Sequence, residues 1–222
     1  MTHRILIPAF GLLFSGCIVE GQTDAQTFTF DEPITDIRAD VNAGDLFITG
    51  GDVAAAEVFR EIEWSGDEPR AVVWVDNGVL NIELECRSGQ LICSADHTVT
   101  VPADVAASLV TGAGDVSLEG LNGVIDIDTG AGDIDGRGLK SPDIIAVTGS
   151  GSVDLGIVDV VNRVELDSGA GDVDLTVPAG DYRVDASSGA GDVDINNINR
   201  DSQADSVIII SSGAGDISIV GQ

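Results

Sequence analysis

The sequence predicts an all-β chain built as a single-stranded β-helix, a β-solenoid of stacked coils with a period of about 18–24 residues. Three observations carry that prediction. One short unit recurs: Thr111-Gly-Ala-Gly-Asp115, Thr129-Gly-Ala-Gly-Asp133, Thr148-Gly-Ser-Gly-Ser152, Ser168-Gly-Ala-Gly-Asp172, Ser188-Gly-Ala-Gly-Asp192 and Ser212-Gly-Ala-Gly-Asp216. Its first glycines lie 18, 19, 20, 20 and 24 residues apart, the length of a solenoid coil. Apolar residues alternate with polar ones on both sides of the glycines. Ile125/Ile127, Val164/Leu166 and Val184/Ala186 share a face before them, and Val153/Leu155, Val173/Leu175 and Val193/Ile195 share one after them. Composition agrees, because 28 of 222 residues are Gly and 28 of the 38 acids are Asp, a bias toward turns and away from helices.

The elements follow in chain order. Met1–Arg4 is a short basic start, Ile5–Phe14 a ten-residue apolar run, and Ser15-Gly16 a pair of small residues, so residues 1–16 read as a secretory signal peptide. Ten residues are too few to span a bilayer, which takes about 20. Phe14-Ser15-Gly16-Cys17 resembles a bacterial lipobox, so Cys17 is expected to carry lipid, with 17–26 as a short linker behind it; ordinary cleavage that leaves Cys17 as a thiol is the alternative. Lipidation of Cys17 leaves Cys86 and Cys93, an even pair expected to form a disulfide across a hairpin-like loop.

The solenoid is expected over 27–222, with less regular coils in 27–105 and regular ones in 106–222. The irregular part contains the strongest hairpin signal, Asp76-Asn77-Gly78 between two apolar runs, and a degenerate unit, Asn42-Ala-Gly-Asp45. Trp64 and Trp74 lie in this part and are read as core or end-cap packing rather than a sugar platform. In the regular part each coil is strand, tight corner, strand and looser return. The corners are assigned to Gly112 and Gly114, Gly130 and Gly132, Gly149 and Gly151, Gly169 and Gly171, Gly189 and Gly191, Gly213 and Gly215, where stacked turns leave no room for a Cβ. The repeat runs to Ile219-Val220 with no cap, so the C-terminal strand is expected to be an open edge that invites self-association.

Stacking aligns acids. Asp115, Asp133, Ser152, Asp172, Asp192 and Asp216 should form one outward column, and Ser117, Asp135, Asp154, Asp174, Asp194 and Ser218 a second. Carboxylates about 4.8 Å apart repel by about 0.9 kcal/mol even at the dielectric of water, so compensation is expected. Turn amides donating to the leading Asp are the simplest answer. Calcium held by Asp133, Asp135, Asp172, Asp174, Asp192 and Asp194 is the second, although the unit lacks the nine-residue pattern of calcium-binding β-rolls. A cationic peptide or surface is the third.

The chain has a net charge of −28 with 43% hydrophobic residues, enough for a core. Its ten basic residues form no cluster, which excludes a nucleic-acid partner. Acids are spread evenly over both halves, as an ordinary high-salt surface would also have them. An enzyme is not expected. The Asp pairs recur in nearly every coil, where a polysaccharide-cleaving site would be a single constellation, and of the two histidines His3 leaves with the leader while His97 reads as an exposed loop residue. No cofactor is expected apart from the candidate calcium.

The Gly-Ala-Gly-Asp units, the Val101-Pro102 and Val177-Pro178 steps and the lipoprotein-like leader resemble the bacterial adhesin family of DUF4097-type β-solenoid domains, over roughly residues 27–222. The resemblance implies a β-helix displayed on the cell envelope, anchored in the outer membrane or on the outer face of the cytoplasmic membrane. It implies adhesion, and through related envelope proteins a response to cationic peptides, and it transfers no catalytic residue.

Overall fold

A computed structural model describes residues 21–222, and all of its regular structure is β. The leader and Cys17 lie outside the described residues. The strands are β1 (Gln22–Phe30), β2 (Asp36–Ala43), β3 (Leu46–Gly51), β4 (Ala56–Trp64), β5 (Arg70–Asp76), β6 (Val79–Glu85), β7 (Cys93–Pro102), β8 (Ala106–Ala113), β9 (Val116–Glu119) and β10 (Ile125–Ala131). They continue as β11 (Ile134–Leu139), β12 (Asp143–Thr148), β13 (Val153–Ile157), β14 (Arg163–Ser168), β15 (Val173–Val177), β16 (Asp181–Ser188), β17 (Val193–Asn196), β18 (Asn199–Arg200), β19 (Val207–Ser212) and β20 (Ile217–Gly221). Strand β1 starts inside the stretch expected to be linker, because Gln22–Phe30 pairs antiparallel with Ala56–Trp64 along its whole length.

Two ten-stranded sheets face each other. The first runs β1-β4-β7-β3-β9-β11-β13-β15-β20-β17, the second β18-β16-β19-β14-β12-β10-β8-β2-β6-β5. Each coil gives one strand to each sheet, and successive coils pair in parallel register, as Ile125↔Ile144 and Val153↔Val173 show. Ten strands at about 4.8 Å make a stack about 43 Å long. Alternation sends one residue in two into the core between the sheets. Ile125, Ile134, Ile144, Val153, Val164, Val173, Leu155 and Leu175 are all at most 1% exposed, each such side chain contributing about 1.5–3 kcal/mol.

The stack is not in chain order at either end. Coil 36–51 (β2/β3) sits between coil 79–102 (β6/β7) and coil 106–119 (β8/β9). Coil 207–221 (β19/β20) sits between coil 163–177 (β14/β15) and coil 181–196 (β16/β17). The expected open edge at Ile219-Val220 is therefore corrected: β20 is paired on both sides, and the free edge belongs to β17. Val184, Ala186 and Ile195, read as core, are only partly buried and Val193 is 37% exposed, because their coil is the outermost one.

The other end is covered by antiparallel strands. β1 and β4 extend the first sheet, and β5 returns along β6 through the predicted turn, where Asn77 and Gly78 both take positive φ. Trp64 is buried here. The loop of the β6/β7 coil is closed by the Cys86–Cys93 disulfide, which ties one sheet to the other at a corner. His97, expected in an exposed loop, is fully buried on β7, opposite Arg60 on one side and Leu46 on the other.

Candidate functional site

The corners make the acidic column. The Asp115 amide donates to Oδ1 of Asp45 (2.9 Å), Asp133 to Asp115 (2.8 Å), Ser152 to Asp133 (2.7 Å), Asp216 to Asp172 (2.7 Å) and Asp192 to Asp216 (2.8 Å). Asp96 and Asp45 belong to the same ladder, since the Asp45 amide donates to Asp96 Oδ1 (2.9 Å). Each of these accepting carboxylates satisfies the corner amide of the next coil, and Asp192, on the outermost coil, has no such amide to meet among the described residues. Ser152 interrupts the series, its side chain being a hydroxyl. In four of the six units the residue before the glycine pair completes the corner: Thr148, Ser168, Ser188 and Ser212 donate their hydroxyls to Gly132, Gly151, Gly215 and Gly171 carbonyls at 2.8–3.0 Å, whereas the Thr111 and Thr129 hydroxyls are buried without a partner among the described residues. This column is structural. Asp133→Ala is expected to destabilise by about 0.5–1.5 kcal/mol by removing the acceptor of the exposed Ser152 amide, while Asp133→Asn keeps an acceptor and loses little; equal urea-denaturation midpoints for the two variants would contradict the ladder.

The second column lies on the outer face of the first sheet and extends beyond the acids. Strand register places Thr27, Phe59, Thr98, Phe47, Ser117, Asp135, Asp154, Asp174, Ser218 and Asp194 in one row across ten strands. Phe47 and Phe59 are 42% and 40% exposed, large apolar rings on an outward face. Sequence reading missed them. Asp135, Asp154 and Asp174 are consecutive neighbours, and the Asp135 carboxyl is pushed up by partial burial and then by Asp154, with Arg137 opposing. Where aromatics and acids meet, Phe47, Thr49, Ser117, Glu119, Asp135 and Arg137 wall a depression of about 220 Å³ floored by Ile48 and Leu118. That is below the roughly 300–1,000 Å³ of drug-sized sites, a scale suited to one sugar ring or one side chain.

The six residues named for calcium are divided between the two columns, which lie close enough that Asp133 and Asp115 also push the Asp135 carboxyl up. Asp133 and Asp172 each accept a corner amide, and Asp172 is parted from Asp192 by Asp216. Asp174 is parted from Asp194 by Ser218, leaving Asp135, Asp154 and Asp174 as the continuous acidic run. Among the described residues no group of three or more His, Cys, Asp or Glu side chains is gathered to hold a metal ion.

Residues 31–220 match the family model of Toastrack DUF4097. The chain belongs to the Toastrack family. Among curated proteins no match to the sequence is found. Solved structures similar to this Toastrack chain include a "putative cell adhesion protein" from Clostridium sporogenes, 13% identical, covering 91% of this chain and 100% of its own, with a TM-score of 0.51. A "putative adhesin" from Bacteroides fragilis is 14% identical over 90% and 97% of the two chains, TM-score 0.46. Another from Parabacteroides merdae is 10% identical over 89% and 96%, TM-score 0.34. The first of these supports the Toastrack fold.

Proposed function

We propose that this Toastrack chain is a non-enzymatic, lipid-anchored protein of the cell envelope that adheres through the outer face of its first sheet. The observation that carries the reading is the row in which exposed Phe59 and Phe47 run into Asp135, Asp154 and Asp174 beside a small depression. Stacking rings next to carboxylates suit a partner with apolar faces and hydroxyl or cationic groups, such as a surface glycan or a basic segment of an envelope protein. The ladder carboxylates, occupied by amides, are left out of that contact. The extracytoplasmic placement rests on the Phe14-Ser15-Gly16-Cys17 leader and agrees with the cell-adhesion description of the Clostridium protein.

The test is adhesion of protein-coated beads to intact cells. Phe47→Ala and Asp154→Asn are each expected to weaken attachment about tenfold, the cost of one buried anchor or one paired charge, with melting temperatures near that of the parent. Unchanged attachment in both would remove this face from the proposal. Repeating the assay with chelator separates the calcium reading: attachment lost only on chelation assigns Asp135, Asp154 and Asp174 to an ion rather than to the partner.

A further inference from the structure

The loop closed by Cys86–Cys93 holds one residue conspicuously outward. Leu91 is 76% exposed, the most exposed large apolar side chain among the described residues. It is fixed there. The Leu91 and Ile92 amides both donate to Ser65 Oγ at 3.1 Å, and the Ser65 amide donates to the Ile92 carbonyl at 2.9 Å. Gln90 Nε2 donates to the carbonyls of Ser65 (3.0 Å) and Asp67 (2.7 Å), while Gln90 Oε1 accepts the Arg87 amide (2.6 Å). A disulfide and six hydrogen bonds thus leave the leucine side chain in water, where burial elsewhere would be favourable.

The N-terminus arrives at the same place. Gln22 pairs with Trp64 and its Nε2 donates to the Gly66 carbonyl (3.2 Å). A Cβ on Gly21 would lie 3.5 Å from Ile92 Cδ1, so the chain passes beside the residue next to Leu91. Gly21 is four residues from Cys17. Four residues reach at most about 14 Å. A lipid on Cys17 would therefore hold this loop at the bilayer surface, within the length of one short tether.

We infer that the Cys86–Cys93 loop is a second membrane contact, in which Leu91 enters the interface beside the lipid anchor and fixes how the solenoid leaves the membrane. The occupant of this patch is a phospholipid bilayer. Around Leu91 the surface carries one charge of each sign, Arg87 and Asp67, with Glu63 beside Gly21, so the contact is carried by the apolar side chain and the tether rather than by charge, whereas the Asp45–Asp115–Asp133 column would meet anionic headgroups with like charge. The inference rests on lipidation of Cys17, which the proposed function also uses.

The experiment uses full-length lipidated protein in vesicles of phosphatidylethanolamine and phosphatidylglycerol, with Leu91→Trp as probe and the parent, with Trp64 and Trp74, as background. An indole ring seated about 5–10 Å into the headgroup boundary is expected to shift its emission to the blue and to be quenched roughly twofold by lipids brominated near the glycerol. The mass of Cys17 is measured on the same sample. A lipid mass on Cys17, with the added emission of the Leu91→Trp variant unshifted and unquenched, overturns the second contact and leaves the anchor standing. Absence of the lipid mass, with the same mass found in Cys17→Ser apart from the substitution itself, overturns the anchor and the inference with it.

Discussion

Gly132→Ala is expected to cost more than about 4 kcal/mol, a large share of the roughly 5–15 kcal/mol that holds a domain folded. Gly132 has φ of +153°, and a Cβ there would lie 2.0 Å from the Gly114 carbonyl oxygen and 2.6 Å from its carbon. Neither atom can yield, because the same corner carries the Gly114 amide to the Ala131 carbonyl and the Asp133 amide to Asp115. The control is Gly138→Ala. Gly138 also has a positive φ, +63°, but nothing lies within 4 Å of its Cβ position, so only the backbone preference is lost, about 1–2 kcal/mol. Urea denaturation of the two variants separates crowding between coils from conformational strain within one. Equal losses would mean that the corners are not close-stacked.

Lowering the pH from 7 to 4 is expected to remove about 3 kcal/mol of stability through His97 alone. Its imidazole is held to a pKa of about 4, first by burial and then by the positive charge of Arg60 opposite it. The folded state therefore binds fewer protons than the unfolded one between about 4 and 6.5. The contribution is fully present above the unfolded value and is lost as pH falls through the folded one, at about 1.36 kcal/mol per pKa unit. The comparison is between the parent and His97→Leu, which isolates the imidazole. The variant should lack this slope. It should also be more stable at pH 7 by about 1–3 kcal/mol, because neither ring nitrogen of His97 has a hydrogen-bond partner in its buried place. Parallel curves of stability against pH for the two proteins would refute the assignment.

Much of this architecture is legible in the sequence because it is local. The Gly-Ala-Gly-Asp corners, the alternation of Val173 and Leu175 and the Asp76-Asn77-Gly78 turn each require particular residues at short spacing, and the structure puts all of them where that spacing places them. Coil order is not local. Nothing in Ser212-Gly-Ala-Gly-Asp216 distinguishes it from the other units, because every coil offers the same parallel edge. Only the return through Asn199–Ser206 and the slot left beside β15 decide where it goes. The candidate site shows the same division. The Asp135, Asp154, Asp174 column follows from the repeat, whereas Phe47 and Phe59 join it through strands 12 residues apart in sequence but separated by β7 in space. The hydroxyls of Thr148 and Ser168 are visible in the motif, and only the stacking gives them a carbonyl to meet.

The tucked position of coil 207–221 has a mechanical consequence. In a stack that follows chain order, a force on the last residue peels one strand from one neighbour, a few hydrogen bonds at a time. Here the final strand Ile217–Gly221 is bonded to Val173–Val177 on one side and to Val193–Asn196 on the other, and Val207–Ser212 is likewise flanked by β14 and β16. Withdrawing the C-terminus must break the two ladders of β20 at once, and then the two of β19, so each step meets two strand pairings where an edge strand would offer one.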